Sequence, residues 1–121
     1  MKETHTLTVT EMDELEEILE NAGSRLVVID FTAPWCGPCK LTGGTMEELA
    51  GVYPDVVFVR VDVSELEEAG SMFQVSVLPT FSFVRNKEKL EDFIGGKMEN
   101  FKLTIERLRT IHSTTTTTTS K

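Results

Sequence analysis

Cysteine, histidine and basic charge are all scarce in this sequence, and each scarcity removes a class of protein. Only two cysteines occur among 121 residues, Cys36 and Cys39. Two are too few for the disulfide framework of a small secreted scaffold. A ring closed over two intervening residues would also constrain the unfolded chain little. The two histidines, His5 and His112, stand near opposite ends, so a closed zinc site, which takes four ligands, lacks an obvious set. Twelve basic side chains stand against twenty acidic ones, a net charge of −8. Nucleic acid is therefore an unexpected partner, because phosphate binding relies on clustered Lys and Arg.

Long apolar runs are missing too. The longest, Leu26-Val27-Val28-Ile29 and Val56-Val57-Phe58-Val59, fall far short of the ~20 residues that span a bilayer. No membrane partner is expected. The first twenty residues carry Glu3, Glu11, Asp13, Glu14, Glu16, Glu17 and Glu20. No basic region leads there into an apolar stretch, which argues against a secretory signal and for a cytoplasmic location.

What is present is ordinary soluble composition, 40% hydrophobic and 26% charged. The length fits one compact domain, read as residues 1–112. The remainder, Ser113 to Lys121, is mostly threonine with no apolar side chain to bury, and is expected to be a disordered tail.

Periodicity divides the domain. Leu7 and Val9 suggest a short strand. Thr10 offers an N-cap with Asp13 three residues on, ahead of Met12, Leu15, Ile18, Leu19 and Ala22 at helical spacing. Leu26 to Phe31 is near-continuously apolar, as in a strand covered on both faces. Met46, Leu49, Ala50 and Tyr53 mark a second helix that Pro54 ends, and Val56 to Val63 a third strand. Ser64 with Glu67 reads as a capping box for a short helix through Phe73. Thr80 to Val84, a polar turn around Asn86 to Glu88, and Leu90, Phe93 and Ile94 read as a hairpin. Phe101, Ile105, Leu108 and Ile111 mark a last helix. The order β-α-β-α-β-α-β-β-α predicts an α/β fold with central parallel strands and an antiparallel edge.

The chemistry concentrates in Trp35-Cys36-Gly37-Pro38-Cys39-Lys40. Cys36 stands where a helix begins, and free N–H groups and the positive helix end favour an anion there, here a thiolate. The thiolate is the nucleophile, so a pKa lowered from about 8.5 raises reactivity. A drop of about one to two in pKa corresponds to ~1.4–2.8 kcal/mol, whereas a helix terminus supplies typically ~0.3–1. A hydrogen bond from the Cys39 thiol is expected to supply the rest. Half of a zinc site and an inert structural disulfide are the other readings of two cysteines so spaced. A reactive dithiol, in which Cys36 attacks and Cys39 resolves, fits the pattern best.

Phe31-Thr32-Ala33-Pro34-Trp35-Cys36-Gly37-Pro38-Cys39-Lys40 resembles the active-site segment of the thioredoxin family. The likeness continues through Val61-Asp62-Val63 and Leu78-Pro79-Thr80, over Leu7 to Ile111. It implies a thioredoxin fold, a central mixed sheet flanked by helices on both faces. It also implies protein-disulfide reduction with Cys36 as nucleophile and Cys39 as resolving thiol. Asp30 matches the family's buried carboxylate that assists proton transfer at Cys39, and Arg60 falls where relatives carry a basic partner for it. On residues alone, Asp30 is a polar residue of the kind found at solvated strand ends. Pro79 matches a cis-proline facing the cysteines. Trp35, Gly37, Pro38, Leu78, Pro79, Ile94, Gly95 and Gly96 match a docking surface for extended substrate peptide.

Neither step of the exchange needs a bound cofactor, and with no cysteine outside the pair for a disulfide-linked dimer a monomer is expected. The leading reading is recharge by thioredoxin reductase, which draws on NADPH. Relatives that act as oxidases or isomerases usually carry histidine where this chain has Pro38, so Pro38 points to a reductant. A redox-dependent binding module remains an alternative use of the same surface. One departure is Thr42-Gly43-Gly44-Thr45, at a point where most relatives have a helix-kinking proline. Each glycine disfavours a helix interior by ~1 kcal/mol. The helix is expected to bend or loosen there, and Gly43→Ala to melt higher without loss of rate.

Overall fold

The computed structural model describes residues 5–95 and 98–110. Nine elements follow one another: β1 (Thr6–Val9), α1 (Met12–Ala22), β2 (Val27–Thr32), α2 (Gly37–Val52), β3 (Val57–Asp62), α3 (Glu67–Met72), β4 (Thr80–Arg85), β5 (Glu88–Ile94) and α4 (Met98–Thr110). The expected Thr-rich tail lies outside the described residues. The five strands form one sheet in the order β1-β3-β2-β4-β5. β1 and β2 run parallel to β3, while β4 is antiparallel to both β2 and β5.

Strand β2 is central because its side chains are apolar on both faces. Val27, Ile29 and Phe31 pack with Leu15 and Leu19 of α1 and Ala69 of α3. Val28, from the opposite face, packs with Met46 and Ala50 of α2 and Phe101 and Ile105 of α4. The sheet is thus covered on both sides. Phe101 anchors α4 among Phe81, Phe83 and Phe93, with ring centroids 4.6, 5.8 and 5.5 Å away. Tyr53, just past α2, donates its hydroxyl to Glu106 of α4 at 2.6 Å. Burial and that carboxylate push Tyr53 up to about 12, so the hydroxyl stays a donor.

Two helix starts differ from expectation. α1 begins at Met12 with Glu11 as its cap residue, and the Glu14 carboxylate accepts the amides of Thr10 and Glu11 at 2.8 and 3.3 Å. The longer Glu14 side chain reaches back where Asp13 does not. At α3 the cap residue is Leu66, and Ser64 is taken up elsewhere: its amide and hydroxyl both donate to Asp62 Oδ1, at 2.8 and 2.6 Å. Asp62 forms a local turn that outcompetes the expected capping box. The β4–β5 turn is as read, and Asn86 and Lys87 both take positive φ, 54° and 68°, matching the twist of a two-residue hairpin.

Helix α2 runs unbroken from Gly37 to Val52 through both glycines. Packing of Met46 and Ala50 onto the sheet holds it, since tertiary burial contributes more to helix stability than propensity does. The two glycines are not equivalent. A Cβ on Gly44 would meet nothing within 4 Å, whereas one on Gly43 would stand 3.2 Å from Arg60 Nη2. Gly43→Ala is therefore no longer the stabilising change. Gly44→Ala should raise stability by about 1 kcal/mol in urea unfolding, and Gly43→Ala should gain clearly less or lose. A larger gain at 43 would mean that Arg60 yields without penalty.

Candidate active site

One edge of the sheet gathers the chain segments that carry the chemistry. Phe31 near the end of β2 pairs with Thr80 at the start of β4, Thr80 pairs with Ile94 at the end of β5, and Thr32 pairs with Asp62 at the end of β3. The loop leaving β2 turns once, with the Cys36 amide donating to the Ala33 carbonyl at 3.1 Å. Cys36 is the cap residue of α2. Pro38 follows inside the first turn, where its missing N–H leaves no helical bond unmade. The Cys39 amide donates to the Cys36 carbonyl at 3.3 Å, and the two sulfurs form a disulfide across a Cα–Cα distance of 5.4 Å.

Both cysteines are buried, yet the residues framing them are not. Trp35 is 73% and Ile94 60% exposed, and Gly37 and Pro38 are exposed as well. The Leu78–Pro79 peptide bond is cis. The Pro79 carbonyl accepts the Gly95 amide at 3.3 Å, which ties the end of β5 to the start of β4. Gly95 needs its lack of a side chain, with φ at 104°. Gly96 lies outside the described residues. Of the residues read as a docking surface, Trp35 and Leu78 line one surface groove.

Asp30 is not at a solvated strand end. It sits inside β2, 1% exposed, on the face that α2 covers. Its Oδ2 accepts from Arg60 Nε at 3.1 Å, and Arg60 Nη2 donates to the Gly43 carbonyl at 3.0 Å. One guanidinium thus links the carboxylate to the backbone of α2. Asp30 and Arg60 are cross-strand neighbours in the β2–β3 register. Oδ1 is buried without a hydrogen-bond partner among the described residues. Burial pushes the Asp30 carboxyl up, against the opposing pull of Arg60's charge and hydrogen bond. Next to it, a hollow of about 280 Å3 is lined by Thr32, Cys39, Lys40, Gly43, Glu47 and Arg60. The role of Gly43 as the gap through which Arg60 reaches α2 was missed from sequence. Two adjacent glycines in a helix were the available signal.

A redox-capable cysteine pair at a helix start, a cis-proline just ahead of the strand that pairs with β2, an exposed apolar rim and a buried carboxylate together define a thiol–disulfide oxidoreductase. The family model described as Thioredoxin matches residues 6–107. The chain is 39% identical to a thioredoxin of Ophiophagus hannah over 99 residues, covering 82% of this chain and 94% of that one. It is 42% identical to thioredoxin H2-1 of Oryza sativa subsp. japonica over 107 residues, covering 88% and 77%. Among solved structures it matches a chain in the complex of ferredoxin:thioredoxin reductase with thioredoxin f2, with a TM-score of 0.82, 28% identity, and coverage of 88% and 98%. The chain belongs to the thioredoxin family.

The raised Asp30 pKa sets a pH dependence of stability. The folded protein holds that proton more tightly than the unfolded chain, whose carboxyl titrates near 3.8. The carboxyl therefore contributes stability below 3.8 and loses it as pH rises through the higher folded value. Asp30→Asn should stabilise the fold at pH 7.5 by about 1–3 kcal/mol, and the gain should shrink as pH falls toward 4. Urea unfolding at both pH values checks this. No gain at pH 7.5 would mean that Arg60 fully offsets the desolvation.

Proposed function

We propose that the chain reduces protein disulfides, with Cys36 as nucleophile, Cys39 as resolving thiol and Asp30 as the group that moves the Cys39 proton. The observation that carries this reading is the Cys36–Cys39 disulfide at the start of α2, which is the oxidised end of such a cycle. In the reduced protein the Cys36 thiolate attacks a substrate disulfide. A mixed disulfide forms, and one substrate sulfur leaves as thiolate and takes up a proton. Cys39 then loses its proton toward Asp30, and its thiolate attacks the Cys36 sulfur. The second substrate thiolate departs and is protonated in turn, so the dithiol has given the substrate two electrons, with one proton released from Cys39 through Asp30 and the other taken from solvent.

The reductive recharge comes from outside the chain. A thioredoxin reductase drawing on NADPH is the expected donor. The solved complex with a ferredoxin-linked reductase supports a reductase partner of some kind. Trp35, Gly37, Pro38, Leu78, Pro79, Ile94, Gly95 and Gly96 serve as the peptide-docking surface in this reading. The two cysteines both belong to the dithiol, which suits a monomer in a reducing compartment such as the cytoplasm. The exposed Trp35, Val77 and Ile94 also favour a second use, docking of a regulatory partner that reads the redox state.

Two measurements test the reading. Equilibration of the dithiol with glutathione buffers should give a reduction potential at or below about −250 mV, in the range known for thioredoxins. A value above about −190 mV would place the chain with isomerases and oxidants instead. Cys39→Ser should accumulate the mixed disulfide through Cys36, visible by non-reducing electrophoresis. Asp30→Asn should slow resolution in the otherwise unchanged protein by ~100-fold or more, the lower reach of general acid–base assistance.

A further inference from the structure

Beside the dithiol lies a groove of about 240 Å3, lined by Trp35, Val63, Glu67, Gly70, Val77 and Leu78 among others. Trp35 adjoins Cys36 in the chain, and Leu78 adjoins Pro79, so the groove opens onto the surface over which a substrate passes. Its walls are apolar at Val63, Val77 and Leu78. Gly70 presents no side chain, which leaves the floor open. Glu67 is the charged lining residue. It is exposed in the first turn of α3, and its carboxylate has no ion-pair partner among the described residues.

We propose that this groove receives a lysine or arginine side chain of the substrate, so that Glu67 favours disulfides flanked by basic residues. The inference rests on the reductase reading and names the substrates that reading prefers. A long basic side chain fits every wall at once. Its methylene stem covers apolar surface while the head stays polar. The head meets the unpaired Glu67 carboxylate, and a cation near an indole gains a further attraction from the ring of Trp35. An acidic side chain would face Glu67 and a protein of net charge −8. An apolar one would cover the walls but leave the Glu67 carboxylate without a partner. The opposite flank of the dithiol mixes Lys40 and Arg60 with Glu47 and offers no such single-sign preference.

The test uses disulfide-bonded peptides carrying Lys, Leu or Glu at each position within three residues of the cysteine. At one position kcat/KM should run Lys over Leu over Glu, with Lys about fivefold above Leu at low salt. The preference should fade in high salt. Glu67→Gln should erase the Lys-over-Leu gap, whereas Glu68→Gln, one residue along α3 and outside the groove, should keep it. Equal rates for all three peptides would overturn the proposal. So would a preference that survives Glu67→Gln, since net charge alone would then explain it. Trp35 is the single tryptophan, so its fluorescence reads the groove without catalysis. Cysteine-free Lys peptides should perturb it more than Glu peptides, and Glu67→Gln should abolish the difference. Lys-selective fluorescence without any peptide reduction would uphold the groove and overturn the reductase reading. Reduction without selectivity in either readout would do the reverse.

Discussion

Burial of β2 on both faces is the constraint from which the active site follows. A strand with Val27, Ile29 and Phe31 on one side and Val28 on the other is stable only with helices on both. Its neighbours must also supply every backbone hydrogen bond, because no water reaches the interior. β3 and β4 do so in register over its length. The strand therefore ends abruptly at the sheet's edge, and the chain emerges there with little freedom. The two cysteines stand a few residues beyond that rigid exit, at the start of a helix clamped to the sheet. Their position is inherited from the packing of residues that take no part in the chemistry.

The same burial creates the site's one electrostatic tension. Asp30 occupies the α2-facing side of a strand that is otherwise apolar from Val27 to Phe31. Desolvation raises its pKa, Arg60 lowers it, and the first effect wins. A carboxyl held in that balance exchanges its proton nearer neutral pH than a solvated one, which suits a relay to a thiol. Arg60 spans from β3 past Asp30 to the Gly43 carbonyl. That reach depends on the close approach of the guanidinium to a helix position without a side chain. The double glycine of α2 therefore reads as accommodation of a cation where it touches Arg60, and as tolerated propensity loss at Gly44.

Much of this was legible in the amino-acid order. The near-continuous apolar run of β2, the helical spacing of Leu15 and Leu19, and the spacing of Cys36 and Cys39 each point to one structure. Local competitions were harder to read. Thr10 and Ser64 are both good caps, yet Glu14 and Asp62 hold the hydrogen bonds instead, because several acceptors lay within reach of the same amides. Pairings across the sheet were illegible without register. From the residues alone nothing paired Arg60 with Asp30; the family resemblance put a basic partner there, and the β2–β3 register sets the two side by side. Glu67 was read only as a capping residue, since its share in the groove depends on where Trp35 and Val77 lie in space.

The two flanks of the dithiol divide the work by polarity. On one side Trp35, Leu78 and the groove under α3 present apolar surface with a single carboxylate, suited to holding a peptide. On the other, Arg60, Lys40 and Glu47 line the hollow that adjoins Cys39, suited to moving a proton. In the proposed cycle the attacking sulfur meets the substrate, and Cys36 caps the helix next to the exposed Trp35. In the same cycle the resolving sulfur gives up its proton, and Cys39 sits one turn in, lining the hollow with Arg60 and Glu47. A spacing of two residues meets both demands at once, because it is about one helical turn and within disulfide reach.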